Sequence, residues 1–244
     1  MKRAIVVGAS SGIGREVARI FIAKGWKVGL MARREAPLQA LKALSPGLVE
    51  VAVCDVTHSD SPARLQALIT QLGGVDLYFH AAGVGKVNPL LLAEVEESTV
   101  MTNALGFMRM IDTAFTYMAE HHGGHIAAIS SIAGTKGLGP APAYSATKAF
   151  QNNYIEALEQ LAGSRKLNIR FTDIRPGFVD TPLIEGTSYP MEMRPERVAK
   201  SIVSAIEQRR HVCIIDWRYR LLVPLWRAVP RCLWRRFNLI GSRR

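Results

Sequence analysis

Tyr144 and Lys148 stand four residues apart, a spacing that puts two side chains on one face of a helix. Together these residue types can move a proton. A free tyrosine, with a pKa of about 10, exchanges protons poorly near neutrality, and a cation beside it favours the phenolate. Lys148 supplies that cation. The pair alone is ordinary, because tyrosine and lysine at this spacing also occur on solvated helices. Two further residues give it weight. Ser131 lies thirteen residues before Tyr144, at the end of the apolar run His125–Ser130. A hydroxyl there can donate to a carbonyl oxygen or hold a developing alkoxide. Ser130 is its neighbour, but alternation along a strand turns it to the other face. Asn103 interrupts the helix-like stretch Glu94–Ala119, where asparagine is a poor helix former. It reads as a local kink, a surface position or a functional polar group.

These residues need a scaffold, and the chain alternates to supply one. Ala4–Val7, Lys27–Met31, Val49–Val53, Leu77–His80, His125–Ser130, Ile169–Ile174 and His211–Ile215 read as strands. Several are continuous apolar runs rich in β-branched residues, as strands covered on both faces are. Between them Ile13–Lys24, Ala36–Leu44, Ser61–Gln71, Glu94–Ala119, Ser145–Ala162 and Pro195–Gln208 read as helices. Such alternation predicts an α/β fold: a Rossmann-like, doubly wound parallel sheet with helices on both faces. The 244 residues fit one domain, residues 1–216, followed by a basic amphipathic extension, residues 217–244. The opening Met1-Lys2-Arg3 and its apolar sequel imitate a signal peptide, but the run stops at Gly8, too early for one. It reads as a buried first strand.

Directly after that strand comes Gly8-Ala9-Ser10-Ser11-Gly12-Ile13-Gly14. Glycines there permit a tight turn and let a pyrophosphate approach the backbone, while the following helix offers free N–H groups and a positive dipole end. A purely structural strand–helix turn is the competing reading. The second strand leads into Arg33 and Arg34, where an NAD enzyme typically places an acid for the ribose 2′-hydroxyl. Guanidinium groups match a 2′-phosphate instead, so the expected cofactor is NADP(H); a solvated arginine loop is the alternative. Asp55, after the third strand, could accept from an adenine amino group or cap a turn.

Taken in order, the motifs Gly8–Gly14, Asp55-Val56, Ala82-Gly83, Asn103, Ser130-Ser131, Tyr144-Ser-Ala-Thr-Lys148 and Pro176-Gly177 resemble those of the short-chain dehydrogenase/reductase family, over about residues 1–210. The resemblance implies an oxidoreductase that interconverts a ketone or aldehyde and an alcohol by hydride transfer, with Tyr144 as general acid and base. It implies catalytic roles for Ser131, Tyr144, Lys148 and Asn103, the last ordering a water that links Lys148 to solvent, while Lys148 also holds the nicotinamide ribose. It places Gly8, Ser10, Ser11, Gly12, Ile13 and Gly14 along the pyrophosphate, Arg33 and Arg34 at the 2′-phosphate, and Asp55 and Val56 at adenine. Ala82, Gly83, Pro176, Gly177 and Val179 join the cofactor site, and Thr181 meets the nicotinamide amide. The chain departs from the family pattern in having Val7 where threonine is usual, and His80-Ala81-Ala82-Gly83 for Asn-Asn-Ala-Gly. The second departure removes amide hydrogen bonds that usually stabilise the sheet.

Charge is concentrated. Net charge is +11, yet residues 209–244 hold ten arginines and one acid, Asp216. Trp217, Trp226 and Trp234 alternate with those arginines among apolar residues that include Leu239 and Ile240, and Pro224 and Pro230 are expected to break the segment into short helices. Such a tail can pack on its own core, over the cleft or on a neighbouring subunit, or lie in a membrane interface. No nucleic-acid motif accompanies it. The residues around 183–193, with Tyr189 and Met191, read as a lid that lines the pocket. Cys54, Cys213 and Cys232 form no pair pattern, which fits a reducing cytosol. The run His121-His122-Gly123-Gly124-His125 reads as a solvated loop, and no metal is expected. Partners expected from the family habit are a small-molecule substrate and a homo-oligomer. A protein that binds NADP without catalysis, acting through a partner or membrane, is the alternative; the intact Ser131, Tyr144 and Lys148 argue against it.

Overall fold

The computed structural model describes residues 1–183 and 189–237. Seven parallel strands form one sheet in the order β3-β2-β1-β4-β5-β6-β7. They are β1 (Arg3–Val7), β2 (Lys27–Ala32), β3 (Val49–Val53), β4 (Leu77–His80), β5 (Gly124–Ile129), β6 (Ile169–Pro176) and β7 (Val212–Ile215). The direction of winding reverses between β1 and β4, and the ends of strands at such a reversal form a crevice.

The apolar runs are explained by two cores. In β1, Ala4 and Val6 face one layer while Ile5 and Val7 face the other, so alternation along the strand leaves no polar side. One layer receives α1 (Gly12–Ala23), α2 (Glu35–Leu44) and α7 (Pro195–Glu207); the other receives α3 (Ser61–Leu72), α5 (Phe107–Glu120) and α6 (Pro142–Ser164). Phe21 of α1 and Phe107 of α5 are fully buried on opposite sides.

Three sequence expectations need correction. The stretch Glu94–Ala119 is not one regular helix. It comprises α4 (Ala93–Val100), a π-helical turn (Met101–Gly106) and α5. The turn widens where Asn103 sends its side chain inward, and a side chain inserted in the ladder is a known cause of such a break. Pro224 does not break the tail. It lies inside α8 (Trp217–Ala228), because Tyr219 and Val223, on the preceding turn, are anchored in buried positions. Only Pro230 separates α8 from α9 (Arg231–Trp234). Of the two readings given for His125, the strand one holds and the loop one does not: it lies on β5, with Nε2 2.8 Å from the Thr172 hydroxyl. No described helix is long and apolar enough to cross a membrane.

Candidate active site

The C-terminal ends of β1 and β4 open onto the crevice. Gly8 turns the chain there with φ of 89°, a conformation that suits only glycine. A Cβ on it would sit 2.6 Å from the Ala82 nitrogen, so the β1 turn lies against the Ala81–Ala82 backbone. Gly14 packs as tightly on the Gly8 carbonyl, and a Cβ on Gly12 would stand 3.1 Å from Thr181. Thus Thr181, far along the chain, borders the glycine turn. Ser11 is the N-cap of α1 but makes no side-chain cap hydrogen bond, so the first N–H groups of α1 are free of a side-chain acceptor. Ile13 is half-buried against the core. A groove of bare backbone beside open helix N–H groups suits phosphate oxygens.

At the outer end, Arg33 and Arg34 are exposed. The Arg34 guanidinium donates to the Ser10 hydroxyl at 3.2 Å, folding over the glycine turn. Asp55 accepts on one oxygen from the Thr57 backbone N–H at 2.9 Å and the Thr57 hydroxyl at 2.8 Å. Burial pushes its carboxyl up, but these bonds and the Arg33 charge outweigh it and hold it below the usual range. Val56 beside it is buried. Asp55 is therefore a turn-capping residue whatever else it binds.

The inner end is a cluster of side chains. Tyr144 lies on the first turns of α6, its ring flat against Gly85, where a Cβ would approach to 2.6 Å. Ser131 follows β5 and caps a short 3₁₀ turn (Ile132–Thr135), its hydroxyl accepting from the Ala133 N–H at 3.1 Å. Ser130 points away and donates to the buried Asp173 carboxyl, which also accepts from Arg175 at 2.7 Å. The Lys148 ammonium lies 5.7 Å from the centre of the Tyr144 ring. It donates to the Ile129 carbonyl at 3.1 Å and to Gln151 Oε1 at 2.9 Å. Gly83 faces it: a Cβ there would lie 3.7 Å from the ammonium.

Asn103 is fully buried. Its amide oxygen accepts from the Val84 N–H at 2.9 Å, and its amide nitrogen donates to the Val84 carbonyl at 2.7 Å. Its side chain thus fixes the loop after β4. Gln151 joins Asn103 to Lys148: its Nε2 donates to the Asn103 main-chain carbonyl at 2.8 Å, and its Oε1 accepts from the ammonium.

Electrostatics differ from the simple expectation that Lys148 lowers Tyr144. Burial raises the Tyr144 phenol above its usual range, with the neighbouring Ser131 hydroxyl pulling it back. Burial lowers Lys148 from 10.5 to about 7, against the pull of Asp173. Desolvation is the larger effect on both groups. His80, at the family's asparagine position, is fully buried and pushed down to about 3, chiefly by burial and then by Lys148. Its Nδ1 meets the Tyr78 hydroxyl at 2.8 Å, one local substitute for the missing amides.

The remaining wall comes from β6 and the tail. After Pro176 and Gly177, the buried Val179 bridges to Met193. Tyr219 of α8 lies directly on Gly177, leaving no room for a side chain there. Its hydroxyl stands 3.4 Å from the Pro190 and Met191 carbonyls and from the Phe178 N–H. Lys136 donates to the Val229 carbonyl and the Trp234 indole to the Gly137 carbonyl, both at 2.8 Å. The tail from Tyr219 to Trp234 therefore touches the chain's own cleft rim. Tyr189 stacks on Phe178 at 4.2 Å. The rest of the expected lid, residues 184–188, and Leu239 and Ile240 lie outside the described residues.

Three contributors escaped sequence reasoning. Gly85 had a weak signal, as the second glycine of Gly83-Val84-Gly85. Gln151 follows Lys148 by one helical turn. Tyr219 had no signal, because its partner Gly177 is a distant loop.

The chain is similar to known proteins over most of its length. The short chain dehydrogenase family model matches residues 2–190. A Myxococcus xanthus protein named an uncharacterized oxidoreductase is 37% identical over 196 residues, covering 78% of this chain and 77% of its own. A Mycobacterium tuberculosis protein of the same description is 33% identical over 247 residues, covering 97% of each chain. The solved structure of an actinorhodin polyketide ketoreductase variant with NADPH superposes with a TM-score of 0.75 at 27% identity, covering 88% of this chain and 95% of that one. The chain is an oxidoreductase and belongs to the short-chain dehydrogenase family.

Proposed function

We propose that the chain reduces a ketone or aldehyde with NADPH, and runs the reverse oxidation of the alcohol, with Tyr144 as general acid and base. The observation that carries this reading is the placing of Ser131 beside the Tyr144 phenol and Lys148 beside its ring, at the strand ends that also hold the glycine turn. Gly8, Ser10, Ser11, Gly12, Ile13 and Gly14 would hold the pyrophosphate, and Arg33 and Arg34 the 2′-phosphate. Asp55 and Val56 would hold adenine. Ala82, Gly83, Lys148, Pro176, Gly177, Val179 and Thr181 would seat the nicotinamide end. The bound nicotinamide supplies the hydride. Ser131 donates to the carbonyl oxygen, and Tyr144 delivers the proton to it. A phenol that burial keeps protonated suits the donor role in reduction. The tail borders the cleft through Tyr219 and Trp234, and we take a lipophilic carbonyl as the substrate class.

A carbonyl panel run with NADPH beside NADH tests the reading. Turnover with NADPH is expected, and Tyr144→Phe should lower it by about 10²–10⁴ while NADPH binding is unchanged. Full activity in that variant rejects the assignment.

The outward face of the tail supports a second role. Trp217, Leu221 and Leu225 are exposed beside Arg220, Arg227 and Arg231, a combination that fits an anionic bilayer surface better than a like-charged second tail. Flotation with anionic vesicles, absent with neutral ones, is the expected result. Assembly of the chain as a homo-oligomer is read by light scattering.

A further inference from the structure

Gln151 is polar, fully buried and unused by the reaction as written. Its two amide atoms face different partners. Oε1 takes a hydrogen bond from the Lys148 ammonium at 2.9 Å, and Nε2 gives one to the Asn103 carbonyl at 2.8 Å. Chemistry fixes this orientation: an ammonium only donates and a carbonyl only accepts. The site therefore needs an acceptor and a donor on one side chain of this length. An ionised glutamate could not donate, and an apolar residue could do neither. The π-helical turn matters here. It opens the ladder at Asn103, which lets that carbonyl receive a side chain from α6.

We propose that Gln151 is a positioning residue that acts through Lys148, keeping its ammonium charged and fixed beside Tyr144. A buried cation loses hydration, and each acceptor it keeps favours the charged form. Among the described residues Lys148 has two neutral acceptors, the Ile129 carbonyl and Gln151. The ionisable groups around it are Asp173 on β6, whose charge favours the ammonium, His80 at the end of β4, and Tyr144 on α6. None of them hydrogen-bonds it in this structure, so Gln151 is half of its direct support among the described residues. The inference rests on the catalytic reading only for its effect on turnover; the effect on Lys148 itself does not depend on it.

The test uses full-length protein without cofactor, with lysine labelled at the ε-carbon, and follows the Lys148 signal by NMR as pH is raised. Lys148→Met assigns the signal. Gln151→Met should lower the Lys148 midpoint by about one unit, the tenfold shift expected for loss of about 1.4 kcal/mol of selective stabilisation. Gln151→Leu, read the same way, serves if the first variant does not fold. An unchanged midpoint in a folded variant overturns the proposal. Turnover gives an independent reading. The pH above which kcat falls should move down with the midpoint, while KM for the carbonyl stays within about twofold. A wild-type pH profile in Gln151→Met, beside an inactive Tyr144→Phe, rejects the Gln151 role and leaves the catalytic reading standing. Full activity in Tyr144→Phe rejects the catalytic reading and leaves the NMR result to decide Gln151.

Discussion

The two walls of the cleft are built on different principles. The wall at Gly8–Gly14 is made of backbone: its shape comes from a left-handed turn and from surfaces where a Cβ would collide with neighbouring main chain. The wall at Tyr144 and Lys148 is made of side chains from three places, the π-helical turn, the end of β5 and α6, with Asn103, Ser131 and Lys148 buried and Tyr144 half-buried. The backbone wall tolerates solvent, since its N–H groups can be hydrated until a ligand arrives. The side-chain wall is largely shut off from solvent, and its buried polar atoms depend on partners within the protein. Geometry is thus stored covalently in one wall and cooperatively in the other.

That contrast can be broken. The largest effect should come from the side-chain wall. Lys148→Met should lower turnover by about 10²–10⁴, measured at saturating substrate. Its stability should move the other way. The fold holds Lys148 at about 7, below its ordinary 10.5, so the folded chain disfavours the ammonium. That penalty is fully present below pH 7 and disappears as pH climbs to about 10.5. Wild-type protein should gain stability across this window, and Lys148→Met should lack that gain. Urea midpoints at pH 7 and pH 10 check it; parallel curves would mean Lys148 is not desolvated as described.

A smaller effect should come from the backbone wall. Gly8→Ala forces a side chain into a left-handed conformation against Ala82, which should cost about 1–3 kcal/mol of stability and weaken NADPH binding together with it. Turnover at saturating NADPH should fall much less than in Lys148→Met. Equal losses of kcat in the two variants would erase the distinction between the walls. The smallest effect should be at the rim. Replacing Arg33 and Arg34 with serine should weaken NADPH by about tenfold and leave NADH nearly unchanged, as read by fluorescence titration. A matching loss for NADH would mean these arginines serve the glycine turn, through the Arg34 bond to Ser10, and not a 2′-phosphate.

The same contrast explains what the sequence disclosed. All seven strands lie close to where apolar runs predicted them; β1, β2 and β4 are buried on both faces, while β3 and β6 keep enough apolar residues around Glu50 and Arg170 to stay legible. Gly8 and Gly14 stood out because a backbone wall advertises itself as glycine. Tyr144, Lys148 and Ser131 were legible as a spaced set. Gln151 was not, since one glutamine in a helix means nothing until the Asn103 carbonyl, 48 residues earlier, is seen in reach. The π-helical turn was invisible for a related reason: it coincides with bonds from the Asn103 amide to Val84 on a distant loop. The fate of Pro224 depended likewise on the anchoring of Tyr219, which no local pattern records.

Tyr219 carries a consequence for how this protein can change. Its ring fills the space that any side chain at Gly177 would need. A larger residue at position 177 is therefore closed to drift until position 219 has first become small, and a small residue at 219 would expose a gap beneath the loop that leads to Thr181. The two positions can be exchanged only through an intermediate that is worse than either end. Descendants of this chain should then keep both residues or replace both, so the tail and the loop after β6 are bound to diverge as one unit.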